Sequence, residues 1–158
     1  MKSHVTGQTP LLSPRDVHFL LYEWLNVESL CKRQRFAEHS AGTFDAVLDL
    51  AADIAARLFA PHNKLADSVE IILGPDGRIQ TTPDIKKALD ALSAAGLLAG
   101  ESDDDLGGMQ LPYVISKAAF AWLRAASVST YELPKTAAQF ILLASLDRSM
   151  LELSESWF

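Results

Sequence analysis

The side chains able to do chemistry are few and scattered. The chain of 158 residues has one cysteine, Cys31, and four histidines, His4, His18, His39 and His62. A thiol nucleophile needs a base within reach, and a helical zinc site needs ligands one turn apart. No two of these histidines are four residues apart, so the spacing offers no such site. Cys31 reads as a partly buried core thiol, and His62, just after Pro61, reads as a surface residue. Asp103, Asp104 and Asp105 are the densest run of oxygen ligands. A calcium loop spaces its acids at alternate positions and closes with a bidentate Glu. Consecutive acids without that Glu read as a solvated loop. There is no phosphate-binding loop, no dinucleotide fingerprint and no Gly-x-Ser-x-Gly elbow. The sequence assigns no metal ligand and no catalytic residue.

Composition narrows the class. The net charge is −6, and the basic residues are dispersed except for Lys32, Arg33 and Arg35. A nucleic-acid binder shows a basic face, so that partner is disfavoured. Apolar residues make up 49% and charged residues 22%, the balance of one globular domain. No run reaches the about 20 apolar residues that span a bilayer. A single cysteine fits a reducing compartment, and MKSHVTGQTP lacks the apolar core of a signal peptide, so a cytoplasmic location is expected.

The elements that must position any site are helices. Ser13-Pro-Arg-Asp16 is a cap followed by a proline start, and Val17, Leu20, Leu21, Trp24 and Leu25 follow at helical spacing. Lys32 to Ser40 reads as a polar connection. Thr43 is read as the cap of a second helix running to about Phe59, with Val47, Leu50, Ala51, Ile54 and Leu58 inward and Pro61 as its stop. Val69 to Leu73, a Gly74-Pro-Asp-Gly77 turn and Arg78-Ile-Gln80 predict a short hairpin. Thr82-Pro83-Asp84 starts another helix, with Ile85, Ala88, Leu89, Leu92 and Ala95 on one face and Gly96 closing it. A fourth begins near Pro112 and carries Val114, Ile115, Ala118, Ala119, Trp122 and Ala126. A fifth is predicted from about Pro134 to Leu146, and a short one over Asp147 to Trp157. The expected fold is all-α: a bundle of five to six helices with one short extended hairpin. Residues 1–12 are expected to be a flexible lead-in to a single domain over 13–158. Trp24, Ile54, Leu92 and Trp122 each centre an apolar face and are the predicted core.

Four blocks in order resemble the N-terminal helical domain of the acyl-CoA dehydrogenase family, in a bacterial branch with an extra N-terminal helix. They are Pro14-Arg-Asp-Val-His-Phe-Leu-Leu-Tyr-Glu23, the stretch from Phe44-Asp-Ala-Val-Leu-Asp49 to Ala60-Pro-His-Asn63, Asp76-Gly-Arg-Ile-Gln-Thr-Thr-Pro83 and Leu106-Gly-Gly-Met-Gln-Leu-Pro112. The last resembles the family's Gly-Gly-x-Gly-Leu-Pro loop, with Gln110 where the pattern has glycine. The likeness spans about Leu12 to Ala144.

The resemblance implies a part or subunit of an FAD-dependent enzyme that oxidises acyl-CoA at Cα–Cβ. The family's flavin contacts and its carboxylate base lie mostly outside the N-terminal domain. The implied domain therefore does not catalyse alone, and FAD enters only if a partner completes it. Ser127 to Ala138 corresponds to the family's acyl-pocket segment, so Tyr131, Leu133 and Ala138 either face an acyl-like cavity or only pack the bundle. Leu146, Met150, Leu153 and Trp157 fall on one stripe and are expected either to close the bundle or to form an interface. The expected partner is a catalytic dehydrogenase subunit or a second copy of the chain. The rival readings are a self-associating helical protein and a non-catalytic acyl or CoA binder.

Overall fold

The computed structural model describes residues 11–68, 72–73, 75, 79–80, 82–132 and 135. The fold is an all-α bundle with one two-residue ladder. Helix α1 (Pro14–His18) continues as a π-helical stretch, Phe19–Trp24, and two 3₁₀ turns, Val27–Lys32 and Gln34–Phe36, follow. Helix α2 (Ala41–Ile54) also widens into a π segment, Ala55–Phe59. A 3₁₀ turn, Ala60–His62, leads to α3 (Asn63–Ser68). Strands β1 (Ile72–Leu73) and β2 (Ile79–Gln80) pair antiparallel, with Leu73 opposite Ile79, which is the expected hairpin. Helices α4 (Pro83–Ala94) and α5 (Tyr113–Ala126) follow, and a sixth, α6, begins at residues 128–132.

Local chemistry explains most boundaries. Ser13 accepts a hydrogen bond from the Asp16 amide, as a cap before Pro14 should. Helix α2 starts at Ala41 and not at Thr43. Ser40 is its cap, and Thr43 closes a reciprocal capping box onto the Ser40 amide. Pro61 does not end the helical path. It sits early in the 3₁₀ turn, where its missing N–H costs nothing, and α3 resumes beyond it. Gly96 takes φ +73° after α4, the left-handed stop expected of it. Helix α6 begins six residues before the expected Pro134, because Ser127 caps it: its Oγ accepts from the Thr130 amide and its carbonyl from the Tyr131 amide.

The core lies between α2, its π extension, α4 and α5. Phe44, Phe59, Leu92, Ile115 and Leu123 are fully enclosed. Ile54 and Trp122 are buried as the apolar periodicity predicts. Val47, Ala51 and Ile54 are buried as expected, and Leu50 is exposed because Phe44 and Leu48 complete the buried face of α2 in its place. Trp24 is a larger departure, at 70% exposed. From Phe19 the helix closes its turns five residues back, with the Leu25 amide on the Leu20 carbonyl. Each residue of that wider turn advances through a smaller angle, which carries Trp24 off the stripe of Val17 and Leu21. Leu11 and Leu12, expected in a flexible lead-in, pack half-buried against the core. Cys31 is half-buried against it as well. Leu133, Ala138, Leu146, Met150, Leu153 and Trp157 lie outside the described residues.

Tyr22 ties α1 to α2. Its hydroxyl donates to Asp45 Oδ1 at 2.6 Å. Burial, then the bond to the Asp45 carboxylate, pushes the Tyr22 pKa well above the ordinary tyrosine value and keeps the phenol neutral.

The two tryptophans separate core from surface. Trp122→Ala is expected to lower unfolding free energy by about 3–5 kcal/mol, whereas Trp24→Ala should stay within about 0.5 kcal/mol of the parent. Urea denaturation of both variants checks this, and equal losses would contradict the burial pattern.

Candidate functional site

Beyond Gly100, the loop between α4 and α5 is built around two left-handed residues. Gly107 takes φ +77° and Gln110 takes φ +48°. Gly108 lies so close to Ser102 that a Cβ there would overlap the Ser102 carbonyl oxygen. Backbone pairing closes the loop, with the Gln110 amide on the Ser102 carbonyl at 3.0 Å and the Leu111 amide on the Gly100 carbonyl at 2.8 Å. Pro112, fully buried, then sets the start of α5.

The connection before α2 clamps this loop from outside. His39 Nε2 lies 2.9 Å from the Met109 carbonyl and 3.2 Å from that of Gln110, so it is the protonated, donating nitrogen. Arg35 donates to the Glu101 carbonyl and pairs with Asp103. The acidic run is therefore not simply solvated. Glu101 accepts from the Ser116 hydroxyl at 2.7 Å and from Lys117 Nζ at 2.8 Å. Asp104 and Asp105 remain exposed. No group of three or more metal-ligating side chains converges among the described residues.

A pocket of about 240 Å³ opens beside the loop. Leu97, Leu98, Phe120 and Tyr131 give it apolar walls. Tyr131 packs edge-on against Phe120, with ring centroids 6.1 Å apart. Glu101, Ser102, Ser116, Lys117 and Lys135 supply its polar groups. Lys117 Nζ also sits 4.6 Å from the centre of the Tyr113 ring, a cation–π contact that orients its ammonium. Of the three residues named from sequence for an acyl cavity, Tyr131 lines this pocket. Leu133 and Ala138 are not among the described residues. Lys117, Phe120, Ser116 and Tyr113 went unnamed. They repeat at i, i+3, i+4 and i+7 along α5, so a second helical face beside the apolar one was the available signal.

His62 is buried, at 5% exposure, and not on the surface. Its ring packs near Phe59, and its Nε2 lies 3.1 Å from Thr130 Oγ1, which accepts from Ser127 Oγ at 3.1 Å. Thr130 and Ser127 are sealed at 0% and 1% exposure, so this chain of hydroxyls pins α6 to the Ala60–His62 turn and offers no nucleophile to a substrate.

No family model, curated protein or solved structure matches the chain.

The strain at Gln110 is testable. A left-handed non-glycine residue costs about 1–2 kcal/mol, and glycine's extra unfolded-state freedom returns roughly 0.4–1 kcal/mol of that. Gln110→Gly should therefore stabilise the fold by up to about 1 kcal/mol, and Gly108→Ala should destabilise it by about 1–3 kcal/mol through loop distortion. Chemical denaturation of the pair checks both signs. A stabilised Gly108→Ala would mean that the loop is not closed as described.

Proposed function

We propose that the chain is an acyl-CoA dehydrogenase N-terminal-like helical domain that binds an acyl group and does not catalyse by itself. The observation that carries this reading is the backbone at Gln110. It adopts the left-handed conformation that glycine takes most easily, at the position where the resembling loop pattern has glycine. The pocket beside that loop suits an apolar chain with a polar end: leucine and aromatic walls for the chain, with Glu101, Ser116, Lys117 and Lys135 at its polar side. Oxidation would need a flavin and a positioned carboxylate base supplied by a catalytic partner chain. Calorimetric titration with octanoyl-CoA, octanoate, free CoA and FAD tests the reading. Both octanoyl ligands are expected to bind, Leu98→Glu is expected to abolish that binding, and the chain alone is expected to retain no FAD and reduce no dye. Absence of heat from both octanoyl ligands, or dye reduction by the chain alone, would overturn it.

A second reading, contact with a partner or a second copy, is favoured by α1 and its π extension. Phe19, Leu20, Trp24 and Leu25 are four exposed large apolar side chains along one short stretch. Sedimentation of the parent beside a Leu20→Glu, Trp24→Glu variant reads it. A concentration-dependent dimer lost in the variant supports self-association through this face, and a monomeric parent at all concentrations rejects it.

A further inference from the structure

The pocket beside the loop has a size as well as a chemistry. Its wall on α5 runs from Tyr113 to Phe120, two helical turns and roughly 10 Å of axis. Toward the amino end of that wall the side chains are polar. Lys117 Nζ donates to Glu101 Oε1 at 2.8 Å, and the Ser116 hydroxyl donates to the same oxygen at 2.7 Å. One turn later comes a ring. Phe120 is 7% exposed, and Tyr131 of α6 packs edge-on against it. Leu97 and Leu98, from the 3₁₀ turn after α4, complete the apolar lining. Neither ring is free to swing aside. Phe120 belongs to the core, and the turn that bears Tyr131 is tied down by Ser127, Thr130 and His62. The space is therefore of fixed size. An engineered apolar cavity of about 150 Å³ takes one benzene ring, so a pocket of about 240 Å³ takes roughly ten atoms. That is the size of an octanoyl thioester counted to its sulfur.

We infer that this pocket selects acyl groups of medium length, near octanoyl, and that Phe120 and Tyr131 set the limit. The inference rests on the acyl-binding function proposed above and adds a substrate class to it. Up to the limit, each added methylene leaves water for the apolar walls, which is worth about fourfold in affinity. Beyond the limit, the two rings occupy the space that a longer chain needs. Forcing extra methylenes into a packed site is unfavourable, so the surplus stays in water and adds nothing. A chain well short of the limit leaves apolar wall uncovered and forgoes those contacts. The polar side does not override this selection by charge. Lys117 is paired with Glu101 and Lys135 with Glu132, so the chain and not the head carries the discrimination.

The test is calorimetric titration of the full chain with butanoyl-, octanoyl- and dodecanoyl-CoA, with free CoA as the reference for the head. Octanoyl-CoA is expected to bind at least about tenfold tighter than butanoyl-CoA, and dodecanoyl-CoA to bind within about twofold of octanoyl-CoA. Tyr131→Ala should lift the limit, so that dodecanoyl-CoA gains about tenfold over octanoyl-CoA. Leu98→Phe should lower it and bring octanoyl-CoA down toward butanoyl-CoA. A thermal melt of each variant reports whether it folds, and Leu98→Phe, at a half-buried position, carries the test if Tyr131→Ala does not. Dodecanoyl-CoA binding the parent about tenfold tighter than octanoyl-CoA would overturn the length limit and leave acyl binding standing. A limit in the parent that no folded variant moves would overturn its assignment to the rings. Equal binding of free CoA and all the acyl-CoAs, or no binding by any of them, would overturn the acyl function and this inference together.

Discussion

Helix α5 is enclosed along most of its length, with Ile115, Ser116, Ala119, Phe120, Trp122, Leu123 and Ala126 all buried. A helix buried on so many sides cannot shift without moving whatever packs on it. Two concavities use it as a wall, the pocket beside the loop through Ser116 and Phe120 and a cleft against α1 and α2 through Trp122. The placement of α5 against α2 therefore sets the shape of both. Its amino end is fixed by Pro112 and by the Leu111 amide on the Gly100 carbonyl. Its carboxyl end is fixed by the Ser127 cap and the buried Thr130–His62 bond. Each of these contacts contributes on the order of 1 kcal/mol, so their main effect is to fix register while the apolar burial supplies most of the stability.

The loop before α5 shows how a polar segment becomes structural. Read alone, five residues from Glu101 to Asp105 with four acids should sit in water. In the fold, Arg35 reaches Glu101 and Asp103, and Lys117 and Ser116 reach Glu101. Exposed pairs of this kind add little individually. Their value here is positional, because they tie three segments distant in sequence: the 3₁₀ turn at Gln34–Phe36, the loop, and the first turns of α5. His39 completes the tie with a hydrogen bond to backbone that does not depend on any side chain of the loop.

The parts legible in the sequence were those governed by local chemistry. Ser13 before Pro14, Gly96 after α4, Pro112 before α5 and the turn residues between β1 and β2 all marked real boundaries. Apolar periodicity found Ile54, Leu92 and Trp122. It failed at Trp24 because the template assumes 3.6 residues per turn, and nothing in Phe19–Trp24 announces a wider one. It failed at His62 because burial there depends on Thr130, 68 residues away, and a single sequence does not show that pairing. The pocket beside the loop was legible only at Tyr131. The cleft was not legible at all: its carboxylates lie on α2, its aromatics on α1 and α5, and only tertiary packing brings them together.

The geometry of α5 separates the two concavities in a definite way. Phe120 and Trp122 are two residues apart, which in an α-helix is a rotation of about 200°. They must face nearly opposite sides, and each lines a different cavity, as that rotation requires. The electrostatics divide along the same line. Lys117 and Lys135 at the pocket beside the loop are matched by Glu101 and Glu132, so charge there is balanced. Asp45 and Asp49 at the cleft have no such match from a lysine or arginine in its lining. Because the shared helix is packed along its length, occupancy of one cavity can influence the other only through a rigid shift of α5, which the Pro112 and Ser127 anchors oppose.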